Sequence, residues 1–91
     1  MSTAVSFMKR QSMTATTTQD KIQATVTLVA KALDIPEDVL GPDSSMENTP
    51  AWDSFEHMNV CLLFERRFGI SLDMDAITTA TSIRALAALV P

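Results

Sequence analysis

Residues 34–53 (DIPEDVLGPDSSMENTPAWD) hold three of the chain's four prolines and one of its two glycines. Proline lacks a backbone N–H and clashes with the preceding turn, so neither a helix nor a central strand can run through this stretch. Upstream of it, Ile22, Val26, Val29 and Leu33 recur at helical spacing and predict a helix over 20–33. Asp20 is its expected N-cap or first-turn acid, and the helix should stop before Pro36, which disfavours helix at Ile35. The connection is long for so short a chain, and such loops are either functional or pinned by their own side chains. Ile35, Val39, Leu40, Met46 and Trp52 are the candidate pins, with a single helical turn expected over 37–40.

Downstream, a second helix is expected over 54–68, capped by Asp53 or Ser54 and closed by Gly69. At about 100° per residue its apolar side chains fall on two arcs. Val60, Cys61, Phe64 and Phe68 form one; Phe55, Met58 and Leu62 form another, roughly opposite. Residues 70–72 read as an extended linker. A short helix over 73–79 and a last helix over 82–90 follow, the last capped by Thr81 or Ser82 and striped by Ile83, Leu86, Ala87 and Val90. No strand alternation and no internal repeat is present. The expectation is an all-α chain, a four-helix bundle with a long first loop and a short third helix. Val60, Phe64, Phe68, Ile77, Ile83 and Leu86 are its expected interior.

The chain has 91 residues. Residues 1–19, rich in Ser, Thr and Gln without an acid, read as a flexible tail, leaving one domain over 20–91. That domain is near the size at which a single core just suffices. It has no room for a large enclosed active site, so catalysis by this chain alone is not expected. It carries 11 acidic and five basic side chains, a net of −6, which disfavours nucleic acid and suits a partner with a basic patch. Cys61 is the only cysteine, which excludes an internal disulfide and fits a reducing cytosol. No apolar run reaches the ~20 residues that a membrane span requires. The tail shares its composition with organelle transit peptides but is short and lacks their amphipathic pattern.

Chemistry concentrates at Trp52-Asp53-Ser54. A helix start presents unpaired N–H groups and the positive end of the macrodipole, so a phosphate on Ser54 would be stabilised there. From Asp20 onward the order of features resembles the acyl carrier protein family. These are helix one, the Pro-containing loop with PDSSM, the Asp53-Ser54 helix, the FGI turn and the ITT-x-x-S-I-x-x-L ending. The resemblance is nearest to the W-D-S-x-x-H form found in stand-alone carriers of secondary metabolism and in D-alanyl carriers. The family usually has Leu after the serine, where this chain has Phe55. It implies that a phosphopantetheinyl transferase, with Mg2+ and coenzyme A, attaches 4'-phosphopantetheine to Ser54. It also implies that Asp53 caps the helix and helps organise the metal, and that the arm carries acyl or aminoacyl groups as thioesters. The implied partners are that transferase, an acyl-loading enzyme, and a ketosynthase or other acyl-processing enzymes; a monomer is expected. An unmodified helical interaction module that keeps the fold is the alternative.

The same resemblance makes Phe55, Met58, Asn59, Leu62 and Arg66 the candidate recognition residues. An exposed apolar patch marks an interaction site, but these side chains could instead be buried against helix three and the long loop. Exposure is favoured for Met58 and Leu62, burial for Phe55. Glu56, Asn59, Glu65 and Arg66 would form a polar rim, in which Arg66 and Arg67 depart from the acidic surface common in the family. His57 lies one turn from Ser54 with Asp53 adjacent, but three such residues on one helix rarely meet the geometry of a hydrolase triad. His57 is expected to be half-exposed near the arm, and Cys61 to be a small core residue.

Overall fold

The computed structural model describes residues 17–91. Four α-helices follow in order: α1 (Thr18–Leu33), α2 (Ser54–Phe68), α3 (Met74–Thr79) and α4 (Ile83–Ala87), with a 3-10 turn at Glu37–Val39. Among the described residues there is no strand, only one isolated bridge between Ser45 and Ser82. The tail expected over 1–19 lies, for residues 1–16, outside the described residues.

α1 begins two residues earlier than its apolar stripe suggests. Thr17 accepts from the Asp20 amide through Oγ1 at 3.1 Å, and the Asp20 carboxylate accepts from the Thr17 amide at 3.3 Å. This reciprocal capping box satisfies two otherwise orphaned donors and makes Asp20 the third helical residue rather than the cap. At the other end Asp34 turns into the left-handed region (φ 58°), where its amide and that of Ile35 return to the Ala30 carbonyl. Pro36 prevents further helix.

α1 packs against α2, α4 and the 3-10 turn. Val29, Val60, Phe64, Ile83 and Leu86 are wholly enclosed at the centre. Phe68 stacks obliquely on Phe64, ring centroids 4.8 Å apart, but is only half-buried, as is Ile77. These two expected core residues therefore line the margin. α3 buries no residue fully. α4 stops at Ala87, short of the expected 90. The chain then tightens into turns with Leu89 and Val90 amides bonding three residues back, which still delivers Val90 to the core.

The long loop is held at both ends and in the middle. Leu40 and Trp52 are buried pins, while Ile35 and Met46 are half-buried. Val39, expected to pin, is instead 60% exposed, at the end of a 3-10 turn that buries none of its own residues. Two backbone bonds of 3.0 Å strap the loop to the start of α4: Ile83 donates to the Ser44 carbonyl and Met46 to that of Thr81. Asn48 folds the loop on itself, accepting from the Ser45 amide and donating to the Asp43 carbonyl. Arg84 reaches Asp43 at 3.0 Å in an exposed ion pair of the kind that contributes little.

Candidate functional site

Ser54 is the first residue of α2, directly after an extended Asp53. Asp53 Oδ1 accepts from the Glu56 amide at 2.8 Å and its carbonyl takes the His57 amide at 2.9 Å, so Asp53 is the N-cap. Gly69 closes the helix in the left-handed conformation (φ 65°), as its position after Phe68 predicts. Among the described residues the Ser54 hydroxyl has no hydrogen-bond partner and the Ser54 and Phe55 amides have no protein acceptor, and Ser54 is exposed. A hydroxyl that is unspent, accessible and set beside free helix-start donors fits a covalently attached phosphate.

His57, one turn further into α2, is buried. It is 4% exposed, and its Nδ1 accepts from the Trp52 indole N–H at 3.0 Å. That bond leaves the proton on Nε2, which donates to the Ile77 carbonyl at 2.8 Å, with Cys61 Sγ 3.5 Å away. The expectation of a half-exposed imidazole beside the arm is therefore corrected. Position 57 shares the inward stripe with 60, 61 and 64, and both ring nitrogens are occupied inside the fold. His57 offers Ser54 no base, and no triad forms. Cys61 is a buried thiol, pushed above the ordinary value of 9.0 first by burial and then by the nearby Glu65 carboxylate.

The outward arc of α2 is open. Met58 and Leu62 are about half exposed, at 50% and 51%, and Phe55 is 82% exposed. Burial of Phe55 was the expectation; at the second position of α2 it projects away from the bundle, opposite the buried arc, where neither α3 nor the loop covers it. Met74, at the start of α3, adds a further exposed apolar side chain. The rim is partly committed elsewhere. Asn59 donates its amide to the Ala32 carbonyl at the end of α1 (3.1 Å), and Glu65 takes the Leu72 amide at 2.7 Å, tying the turn after α2. Arg66 is exposed and, with Lys31 and Arg67, edges a groove of about 350 Å³ floored by Leu28 and Leu63.

Among the described residues no group of three or more His, Cys, Asp and Glu side chains is placed to hold a metal ion. No helix of the described residues is long and apolar enough to cross a membrane. No curated protein matches the chain at a significant level. A family model described as the phosphopantetheine attachment site matches residues 23–90. That span takes in most of α1, the strapped loop, the Asp53-Ser54 helix start and α4, and members carry a covalently attached 4'-phosphopantetheine; this chain belongs to the phosphopantetheine attachment site family.

Proposed function

We propose that Ser54 is the attachment residue and that the domain is a non-catalytic carrier of acyl or aminoacyl groups. The observation that carries this reading is the pairing of an exposed, unpartnered Ser54 hydroxyl with the Asp53-capped start of a 15-residue helix. When bound, 4'-phosphopantetheine supplies a thiol at the end of a long arm, on which such groups ride as thioesters. What the chain itself contributes is placement. Asp53 holds the helix start in one geometry and keeps a second carboxylate oxygen outward, suited to a metal ion brought by the transferase. The Ser54 and Phe55 amides, without a protein acceptor, are the donors that a phosphate on Ser54 would meet at the helix start.

The apolar arc of Phe55, Met58 and Leu62, with Asn59 and Arg66 beside it, is the surface we assign to partner enzymes. These are the phosphopantetheinyl transferase, an acyl-loading enzyme, and a ketosynthase or related acyl-processing enzyme. A polyketide or related secondary pathway in the cytosol is favoured by the W-D-S-x-x-H wording and by the free thiol of Cys61. The test is co-expression with a promiscuous phosphopantetheinyl transferase followed by intact-mass measurement. The wild type should gain the mass of one phosphopantetheine and Ser54→Ala should not. An unchanged mass, under conditions that modify a control carrier, would sink the reading.

A further inference from the structure

α3 is the least anchored helix of the domain. It has six residues, buries none of them fully, and takes little part in the packing that joins α1 to α2 and α4. Its N-terminus is capped by its own Asp73, and its threonine hydroxyls bond to its own backbone. Among the described residues, one hydrogen bond joins α3 to another element: His57 Nε2–H to the Ile77 carbonyl at 2.8 Å. That carbonyl is in the last turn of α3, where no amide four residues on returns to it, because the Thr81 amide bonds to Thr79 instead. The imidazole therefore satisfies an orphaned helix carbonyl from outside the helix.

The same ring also closes the turn before Ser54. Trp52, 1% exposed, has one polar side-chain atom, and this indole N–H ends on His57 Nδ1. Trp52 lies two residues before Ser54 and His57 three residues after it. A single buried side chain thus clamps the chain on both sides of Ser54 and carries α3 with it. The Trp52 bond fixes the tautomer, and only that tautomer can donate to Ile77. The two contacts are coupled: losing either weakens the other.

We propose that His57 is a positioning residue, a latch that presents the Ser54 turn and α3 as one pre-assembled surface to the enzyme that modifies or reads it. The proposal rests on the reading of Ser54 as the attachment residue. An enzyme gripping both α2 and α3 then meets them in register, instead of ordering α3 at the cost of its own binding.

The test compares His57→Leu, which keeps the bulk and removes both bonds, with His57→Gln, whose amide offers one acceptor and one donor. Two quantities are read on the full chain: deuterium uptake at the Ile77 and Ala80 amides, and KM and kcat for Ser54 modification by a phosphopantetheinyl transferase with coenzyme A. For His57→Leu, uptake should quicken and KM for the carrier rise by about tenfold each, the loss expected for a buried hydrogen-bonded pair, with kcat within about twofold. His57→Gln should recover most of both. Trp52→Phe keeps an aromatic ring and removes only the bond that sets the tautomer, so it decides the matter if His57→Leu does not fold; it too should speed uptake at Ile77. Unchanged uptake in the folded variants would overturn the latch. Quickened uptake with an unchanged KM would overturn its part in docking. If the wild type gains no mass at all, the carrier reading has failed, and the uptake comparison alone decides the latch.

Discussion

Ser54 and His57 stand one turn apart on α2 and share a helix face, but at the open helix end the hydroxyl is exposed without a partner, while one turn further in the imidazole is buried with two. An exposed hydroxyl three residues from a histidine invites a catalytic interpretation, and the burial removes it. Nothing on α2 activates Ser54, which is consistent with a side chain acted upon by another enzyme.

Because the Ser54 side chain makes no bond, its removal should leave the fold intact. Ser54→Ala is expected to change unfolding free energy by no more than about 0.5 kcal/mol, as for a surface site free of special features. Urea denaturation checks this, and a larger loss would show an undetected structural role.

Asp53 has two separable tasks. Asp53→Ala should cost about 1 kcal/mol through the lost cap, whereas Asp53→Asn, also a good cap, should cost far less. If the outward carboxylate oxygen helps a transferase bind its metal, Asp53→Asn will be nearly as stable as the wild type and yet be modified much more slowly. Equal modification of the two proteins would confine Asp53 to capping.

Two phenylalanines on α2 should respond in opposite ways. Phe64 is enclosed at the centre, and Phe64→Ala should destabilise by about 3–5 kcal/mol. Phe55 is largely in solvent, so Phe55→Ala should stay within about 0.5 kcal/mol while raising KM for partner enzymes. A stability loss at Phe55 comparable to that at Phe64 would mean that the residue packs after all.

How far residues 17–91 were legible depended on whether packing or a local bond decided the outcome. The α1 stripe, the Asp53 cap, the Gly69 stop and the 3-10 turn follow from spacing and backbone chemistry, and each stands where those rules put it. Phe55 misled because apolar character suggested burial, while its position on the helix decided exposure. His57 misled the other way: its polar character suggested half-exposure, although 57, 60, 61 and 64 form one helical stripe. The partners that make its burial tolerable, Trp52 and the Ile77 carbonyl, lie across the fold, beyond any local pattern. Thr17 was hidden in a run of threonines, where one capping hydroxyl looks like any other.

Cys61 gives a prediction in pH. Burial and Glu65 raise its thiol above the usual 9.0, so the folded state favours the neutral form. Its contribution to stability is complete below 9.0 and is lost as pH rises through the higher folded value. Alkylation by iodoacetamide should accordingly be at least about tenfold slower in the native protein than in urea, with its onset shifted to more alkaline pH. Equal rates in the two states would contradict the burial.

Asp34 offers a stabilising change. It holds a left-handed conformation that costs a residue with a Cβ about 1 kcal/mol, and it sets a negative charge against the C-terminal end of α1. Asp34→Gly removes both penalties and adds unfolded-chain entropy, for a net gain of about 0.5–1 kcal/mol. Thermal denaturation should show a higher midpoint.

The strap between residues 44–46 and 81–83 joins two stretches 35 to 39 residues apart in the sequence. Contacts so distant in sequence close late, because the intervening segment must be ordered before they add anything. On the ribosome, the loop that leads into Ser54 cannot reach its final path until α4 has emerged. A nascent chain truncated before residue 83 would carry the serine and its helix but lack the frame that aims them, so if Ser54 is the attachment residue its modification should wait until α4 has left the ribosome.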